Sequence, residues 1–119
     1  MIVDDDRTTV TLLQTLLEMD GFDVTLCPRG GDVLPKARTE RPDLVLMDYH
    51  LADMKGLDVL AALRADPDFA SLPIVMTSGL DVSRECEAAG ADRFLIKPFE
   101  PGKLATLFNQ LIEKHHTGS

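Results

Sequence analysis

The chain alternates short unbroken apolar runs with longer segments in which apolar residues recur every three or four positions. The first pattern predicts strands buried on both faces, the second amphipathic helices. Met1-Ile2-Val3 opens as a very short strand that stops at Asp4-Asp5-Asp6. Val10, Leu13, Leu16 and Leu17 give a helix over residues 7–20, with Gly21 as its stop. Phe22 to Cys27 alternates with a period near two, and its aspartate and threonine place this second strand at a sheet edge. Gly30-Gly31 permit a turn before a second helix carrying Val33, Leu34 and Ala37, which tolerates Pro35 near its start and ends before Pro42.

Leu44-Val45-Leu46-Met47 is the third strand, bounded by Pro42-Asp43 and running directly into Asp48. Residues 49–55 read as loop, and Gly56 as a position where a side chain would obstruct the backbone. Leu57, Leu60, Ala61 and Leu63 stripe a third helix that ends at Asp66-Pro67-Asp68. Pro73 to Thr77 is the fourth strand and Ser78-Gly79 its turn; residues 82–89 have room only for a short helix before Gly90. Arg93 to Ile96 is the fifth strand, ending at Lys97-Pro98, and Leu104, Leu107, Phe108, Leu111 and Ile112 mark the last helix. His115 to Ser119 reads as a polar tail or linker.

Five strand-helix alternations without repeats predict an α/β fold, a five-stranded parallel sheet with helices on both faces and strand order 2-1-3-4-5, flavodoxin-like. One domain over residues 1–116 is expected, with 117–119 as tail. At 119 residues a single core suffices without metal or disulfide staples. The net charge of -8 argues against direct binding to nucleic acid or an anionic membrane and favours capture of a cation. Cys27 and Cys86 lack metal or redox spacing and read as reduced packing residues. Neither a run of ~20 apolar residues nor a charged-then-apolar leader occurs, so a soluble cytoplasmic location is expected.

The strand order gathers Asp4, Asp5 and Asp48 at one crevice, where open α/β sheets place their ligands. Taken singly, each candidate has an ordinary reading. Asp48 fits a helix N-cap or turn aspartate equally well, the acidic run a solvated loop, Ser78 a cap and Lys97 a surface lysine. In order, each at the end of a strand-like run, they form a constellation. Three clustered carboxylates repel unless protonated, hydrated or bound to a cation, and Mg2+ suits an oxygen set that includes a phosphoryl oxygen. Asp48 then reads as a nucleophile for a phosphoryl group, with the Ser78 hydroxyl and the Lys97 ammonium offsetting its charge.

The chain resembles the receiver domain of two-component response regulators. The resemblance runs through Ile2-Val3-Asp4-Asp5-Asp6, Leu44-Val45-Leu46-Met47-Asp48, Leu51 to Gly56, Leu72 to Gly79, Ala89-Gly90-Ala91-Asp92 and Phe94-Leu95-Ile96-Lys97-Pro98-Phe99. It implies that Asp48 accepts a phosphoryl group from a histidine kinase or phosphotransfer protein. It further implies that Asp5, Asp48 and the His50 backbone carbonyl hold magnesium, with Asp4 assisting through water. By the same resemblance Ser78 is the switching hydroxyl, Phe94 the rotating aromatic, Lys97 a phosphate contact and Lys97-Pro98 a cis peptide. His50 and Leu80 stand where the family tunes dephosphorylation, and the output passes to an effector domain or downstream protein.

The sequence departs from the family pattern at several places. Ala52 stands where that loop usually has proline, Thr77 is polar in a usually apolar strand end, the first strand is short, and the stretch from Ser78 to Lys97 is about one helical turn shorter than usual. Two other readings compete with a phosphorylation switch. A haloacid-dehalogenase-type phosphatase would carry a second aspartate at position 50, where this chain has histidine, and would need a substrate cap. A degenerate receiver would bind partners without phosphorylation. The expectation is a switch rather than an enzyme.

Overall fold

The computed structural model describes residues 1–118, with side chains as far as His115. Five strands alternate with five helices: β1 (Ile2–Val3), α1 (Arg7–Met19), β2 (Leu26–Cys27), α2 (Val33–Glu40), β3 (Val45–Asp48), α3 (Gly56–Ala65), β4 (Ile74–Ser78), α4 (Ser83–Ala88), β5 (Arg93–Ile96) and α5 (Leu104–Gly118). Short 3-10 turns precede α2, over Gly30–Asp32, and α5, over Pro101–Lys103. The sheet is parallel throughout in the order β2-β1-β3-β4-β5. That is the predicted architecture.

Side chains on a strand alternate between faces, so each central strand feeds two cores. Val45 and Met47 of β3, with Ile74 and Met76 of β4, pack against Val33 and Ala37 of α2, Val59, Leu60 and Leu63 of α3, and Cys86 of α4. Leu46 and Val75 face the other way, onto Leu13 and Leu17 of α1 and Leu104, Phe108 and Leu111 of α5. The alternation also fixes the site. Asp48 follows Leu46 by two residues and therefore belongs to the α1/α5 face, opposite Thr77 in the register of β4.

Local chemistry explains the ends of elements. The Asp6 side chain caps α1, accepting the Thr8 amide at 3.2 Å and the Thr9 hydroxyl at 2.7 Å, which takes this third aspartate of the acidic run out of the site. Arg64 at the end of α3 acts as a fork. Its guanidinium donates to the carbonyls of Gly90 (2.9 Å), Leu72 (2.7 Å) and Phe69 (3.2 Å) and to Asp92 Oδ2 (3.0 Å), which also accepts the Ile74 amide at 2.8 Å. One side chain thus ties the end of α3 to the starts of β4 and β5 and to the exit of α4. That anchorage matters because Cys86 is the only buried residue of α4.

Several boundaries differ from expectation by a residue, β3 for one running over Val45–Asp48 rather than Leu44–Met47, and three differences bear on packing or on the site. The second strand was expected over residues 22–27, yet only Leu26–Cys27 pair with β1. Phe22 turns instead into the α1/α5 core, its ring edge-on to Phe108 at 6.2 Å. At this sheet edge Lys36 Nζ donates to the Leu26 carbonyl at 2.5 Å. Ser78 is the last residue of β4 rather than part of the turn. The final helix continues through Gly118, past the start expected for a tail, and the expectation for Ser119 lies outside the described residues. Cys27 and Cys86 are both buried and free. Among the described residues no helix is long and apolar enough to cross a membrane.

Candidate functional site

The parallel strands bring their C-terminal ends to one edge, where β1 delivers Asp4 and Asp5, β3 delivers Asp48, and β5 delivers Lys97. One carboxylate oxygen from each of the three aspartates lies within 4.8 Å of the others. Lys97 Nζ stands 3.3 Å from Asp4 Oδ2 and 3.3 Å from Asp48 Oδ2. Asp4 is buried, with its Oδ1 accepting the Asp6 amide at 2.9 Å, whereas Asp5 is exposed. The Lys97 amide donates to the Ser78 carbonyl at 2.8 Å, which holds this residue at the end of β5 beside β4; the Lys97-Pro98 peptide is cis, as the resemblance implied.

Three carboxylates against one ammonium leave an excess of negative charge at a partly desolvated edge. Burial pushes the Asp48 carboxyl above its usual range; Lys97 pulls it down and Asp4 pushes it up further. Burial acts to lower the Lys97 ammonium, but Asp4 and Asp48 outweigh it and the net direction is up. An arrangement that stores like charge in this way is suited to a small, hard cation with oxygen ligands. The donor set therefore fits magnesium on its chemistry.

The loop after Asp48 folds back on itself. The Gly56 amide donates to the Tyr49 carbonyl at 2.8 Å, and His50 and Lys55 form an isolated antiparallel bridge. A Cβ on Gly56 would overlap the Asp48 carbonyl oxygen and come within 3.0 Å of Tyr49 Cα, so glycine is required by close approach. His50 is exposed, its ring edge-on to Tyr49 at 4.7 Å, and its amide points toward Asp48 Oδ1 at 3.4 Å, long for a hydrogen bond. Its backbone carbonyl belongs to the same hairpin.

Ser78 is buried, and its hydroxyl oxygen accepts the Leu80 amide at 3.1 Å. Leu80 itself is 65% exposed, the behaviour of a residue at the rim rather than in the core. Phe94 is half-buried on the α2/α3/α4 side, paired in register with Met76, two residues before Ser78. Thr77 lines a cavity of about 10 Å³ bounded by Thr9, Asp48 and Lys97, space for roughly one water. A larger cavity, about 720 Å³, lies at the opposite edge of the sheet among Phe22, Thr25 and Asp43. It brings no metal-ligating cluster together, and the shallow carboxylate edge is the better candidate despite its smaller volume.

Two contacts were not legible in the sequence. The Tyr49 hydroxyl donates to Glu85 of α4, and both Asp53 oxygens accept amides at the entrance of α2. Each joins residues more than twenty positions apart, and no spacing rule reaches that far.

Comparison with known proteins agrees with this geometry. The DNA-binding response regulator MtrA of Mycobacterium tuberculosis is 41% identical over 108 residues, which cover 87% of this chain and 46% of MtrA. The alkaline phosphatase synthesis transcriptional regulatory protein PhoP of Bacillus subtilis is 38% identical over 104 residues, 85% of this chain and 42% of PhoP. The chain thus spans less than half the length of these relatives. Among solved structures, a CheY-like response regulator receiver domain protein from Methanospirillum hungatei superposes with a TM-score of 0.89 at 26% identity, covering 99% of this chain and 95% of that one. The receiver domain of a Pseudomonas aeruginosa sensor histidine kinase, with a magnesium ion coordinated in its active-site cleft, gives 0.84 at 29% identity over 94% of each chain. The family model of the response regulator receiver domain matches residues 1–109, and the chain belongs to that family of two-component signalling domains.

Proposed function

We propose that Asp48 is the phosphoacceptor of this receiver, taking a phosphoryl group from a histidine kinase or phosphotransfer protein. The observation that carries this reading is the triangle of Asp4, Asp48 and Lys97, in which one ammonium faces two carboxylates at 3.3 Å beside an exposed Asp5. Lys97 orients Asp48 and stands ready to contact a phosphoryl oxygen. An Asp48 oxygen forms the new bond to phosphorus as the bond from phosphorus to the donor nitrogen breaks. Asp5, Asp48 and the His50 carbonyl would hold magnesium, with Asp4 acting through water. Bound there, the ion offsets the charge that spreads over the phosphoryl oxygens.

Ser78 and Phe94 form the switching pair in this reading. The Ser78 oxygen accepts the Leu80 amide, which leaves its O–H free to donate to a phosphoryl oxygen; turning toward that oxygen draws on the turn between β4 and α4. Phe94 then follows into the space beside β4. The rearranged surface is read by an effector domain or a downstream protein, and the chain turns over no external substrate. Direct nucleic-acid or membrane contact is not part of this reading, in keeping with the net charge of -8, and the setting is the cytoplasm.

Acetyl phosphate with and without magnesium, followed by intact-mass measurement, tests the proposal. A single phosphoryl adduct is expected in the wild type with magnesium and none in Asp48→Asn. An adduct that forms without magnesium, or persists in Asp48→Asn, rules the assignment out. If the wild type takes up no phosphate at all, a binding module independent of phosphorylation becomes the better account.

A further inference from the structure

Asp53 lies five residues beyond Asp48 and contributes nothing to the carboxylate triangle, yet it is bonded to a separate element. Its Oδ1 accepts the Gly30 amide at 2.8 Å and its Oδ2 the Gly31 amide at 2.9 Å. These amides open the 3-10 turn that leads into α2, where no preceding helical carbonyl is available to take them. Successive N–H groups converging on one carboxylate make a charge-assisted, directional pair of bonds. The neighbouring residue adds a steric fit: a Cβ on Gly30 would come within 2.6 Å of Met54 Cγ and 2.9 Å of its Sδ.

The other contacts of this loop do a different job. The bond from the Gly56 amide to Tyr49 and the bridge between His50 and Lys55 are internal to the hairpin and set its shape, while the Tyr49 amide, donating to the Thr77 carbonyl at 2.8 Å, and the Tyr49 hydroxyl, donating to Glu85, tie its base to β4 and α4 and leave the tip to be fixed separately. Leu51 and Met54 pack against the α2/α3/α4 core, but apolar contact is non-directional. Ala52 supplies no ring to stiffen the chain at this point. The two Asp53 bonds are the directional link from the hairpin tip to α2.

We propose that Asp53 is a positioning residue for magnesium binding, clamping the hairpin of residues 49–55 to the entrance of α2 so that the His50 carbonyl is presented beside Asp5 and Asp48. The inference rests on the magnesium reading given under the proposed function. It also makes the link reciprocal: if the clamp favours the metal, the metal must tighten the clamp, and the Gly30 and Gly31 amides must report occupancy of the site.

Magnesium alone serves as the probe. Tyr49 is the only tyrosine and tryptophan is absent, so tyrosine emission reports the residue next to Asp48. Asp53→Ala is expected to bind magnesium about tenfold more weakly than wild type with unchanged far-UV circular dichroism, the size usual for residues that orient a ligand. Asp53→Asn, which keeps one oxygen acceptor, should fall between them. Hydrogen exchange requires no variant: magnesium should slow exchange at Gly30 and Gly31 in the wild type, which decides the matter even if Asp53→Ala folds poorly. Wild-type affinity in Asp53→Ala, or exchange at Gly30 and Gly31 indifferent to magnesium, overturns the inference while leaving the magnesium reading standing. A wild type that binds no magnesium overturns both.

Discussion

The Tyr49 hydroxyl donates to Glu85 Oε2 at 2.8 Å, joining the residue next to Asp48 to the first turns of α4. The helix it reaches is six residues long and buries only Cys86, so it is held by few contacts and by its ends. A short helix of this kind belongs to the low-stability part of a fold.

Tyr49→Phe should therefore exchange faster than wild type at the amides of residues 83–88, with little change in β3 or β4. Beryllofluoride should slow exchange over residues 80–89 in the wild type as the site orders the segment, and less so in Tyr49→Phe. Strong protection of these amides before activation, unchanged afterwards, would show a rigid α4 and end this account.

The raised Asp48 carboxyl carries a pH dependence of stability. Burial, the first cause of the rise, makes the folded chain hold the Asp48 proton more tightly than the unfolded chain does. The stability that this group contributes is then whole below the ordinary carboxylate range and is lost as pH rises through the raised folded value. Asp48→Asn should accordingly melt at a higher temperature than wild type at neutral pH, and the gap should close in acid. Magnesium should narrow the neutral-pH gap by stabilising the wild type. Thermal melts across pH that put Asp48→Asn at or below wild type everywhere would contradict it.

Gly56→Ala sets a Cβ against the Asp48 carbonyl and Tyr49 Cα, backbone atoms that cannot rotate away. A cost of about 1–3 kcal/mol in urea unfolding is expected, the range for overpacking. The displaced Asp48 should also lose most of its labelling rate by acetyl phosphate. Wild-type stability together with wild-type labelling would mean that the loop yields more easily than its contacts indicate.

Removing the Arg64 fork leaves the carbonyls of Gly90, Leu72 and Phe69 short of a donor and Asp92 short of its cation. Arg64→Ala should cost about 2–4 kcal/mol, since several polar groups lose one shared partner at once. Arg64→Lys should recover less than half, because an ammonium lacks the planar fork. Urea midpoints for the two variants measure this, and near-equality of Arg64→Lys with wild type would mean that charge alone suffices.

The exposed ring of His50, two residues beyond Asp48, stands edge-on to Tyr49. If it shields the phosphoryl group from water, His50→Ala should lose phosphate faster than wild type. Slower loss would instead make the imidazole a base for the attacking water.

Much of this molecule was legible from local pattern. Unbroken apolar runs placed β3 and β4, helical stripes placed α1, α3 and α5, and the alternation of strand and helix gave the parallel sheet, whose expected order 2-1-3-4-5 is the one found. Asp4, Asp48 and Lys97 meet because each follows a strand, a fact that needs only the order of elements. Phe22 and Asp53 resisted the same treatment for different reasons. Phe22 fits the period of a strand, but its ring gains more from the gap beside Phe108 than from continuing the ladder. Asp53 looks like any polar loop residue until the fold brings Gly30 and Gly31 against it.

The two-residue β2 has a bearing on how this chain meets copies of itself. An open sheet ends in a row of unpaired backbone groups, which can template a strand from a neighbour and seed aggregation. Here the β2 rim offers only Leu26 and Cys27, and the Lys36 ammonium already occupies the Leu26 carbonyl. A neighbouring strand would have to displace a charged donor to gain a ladder of two residues, so the rim that looks like an incomplete strand protects this edge of the sheet against growth.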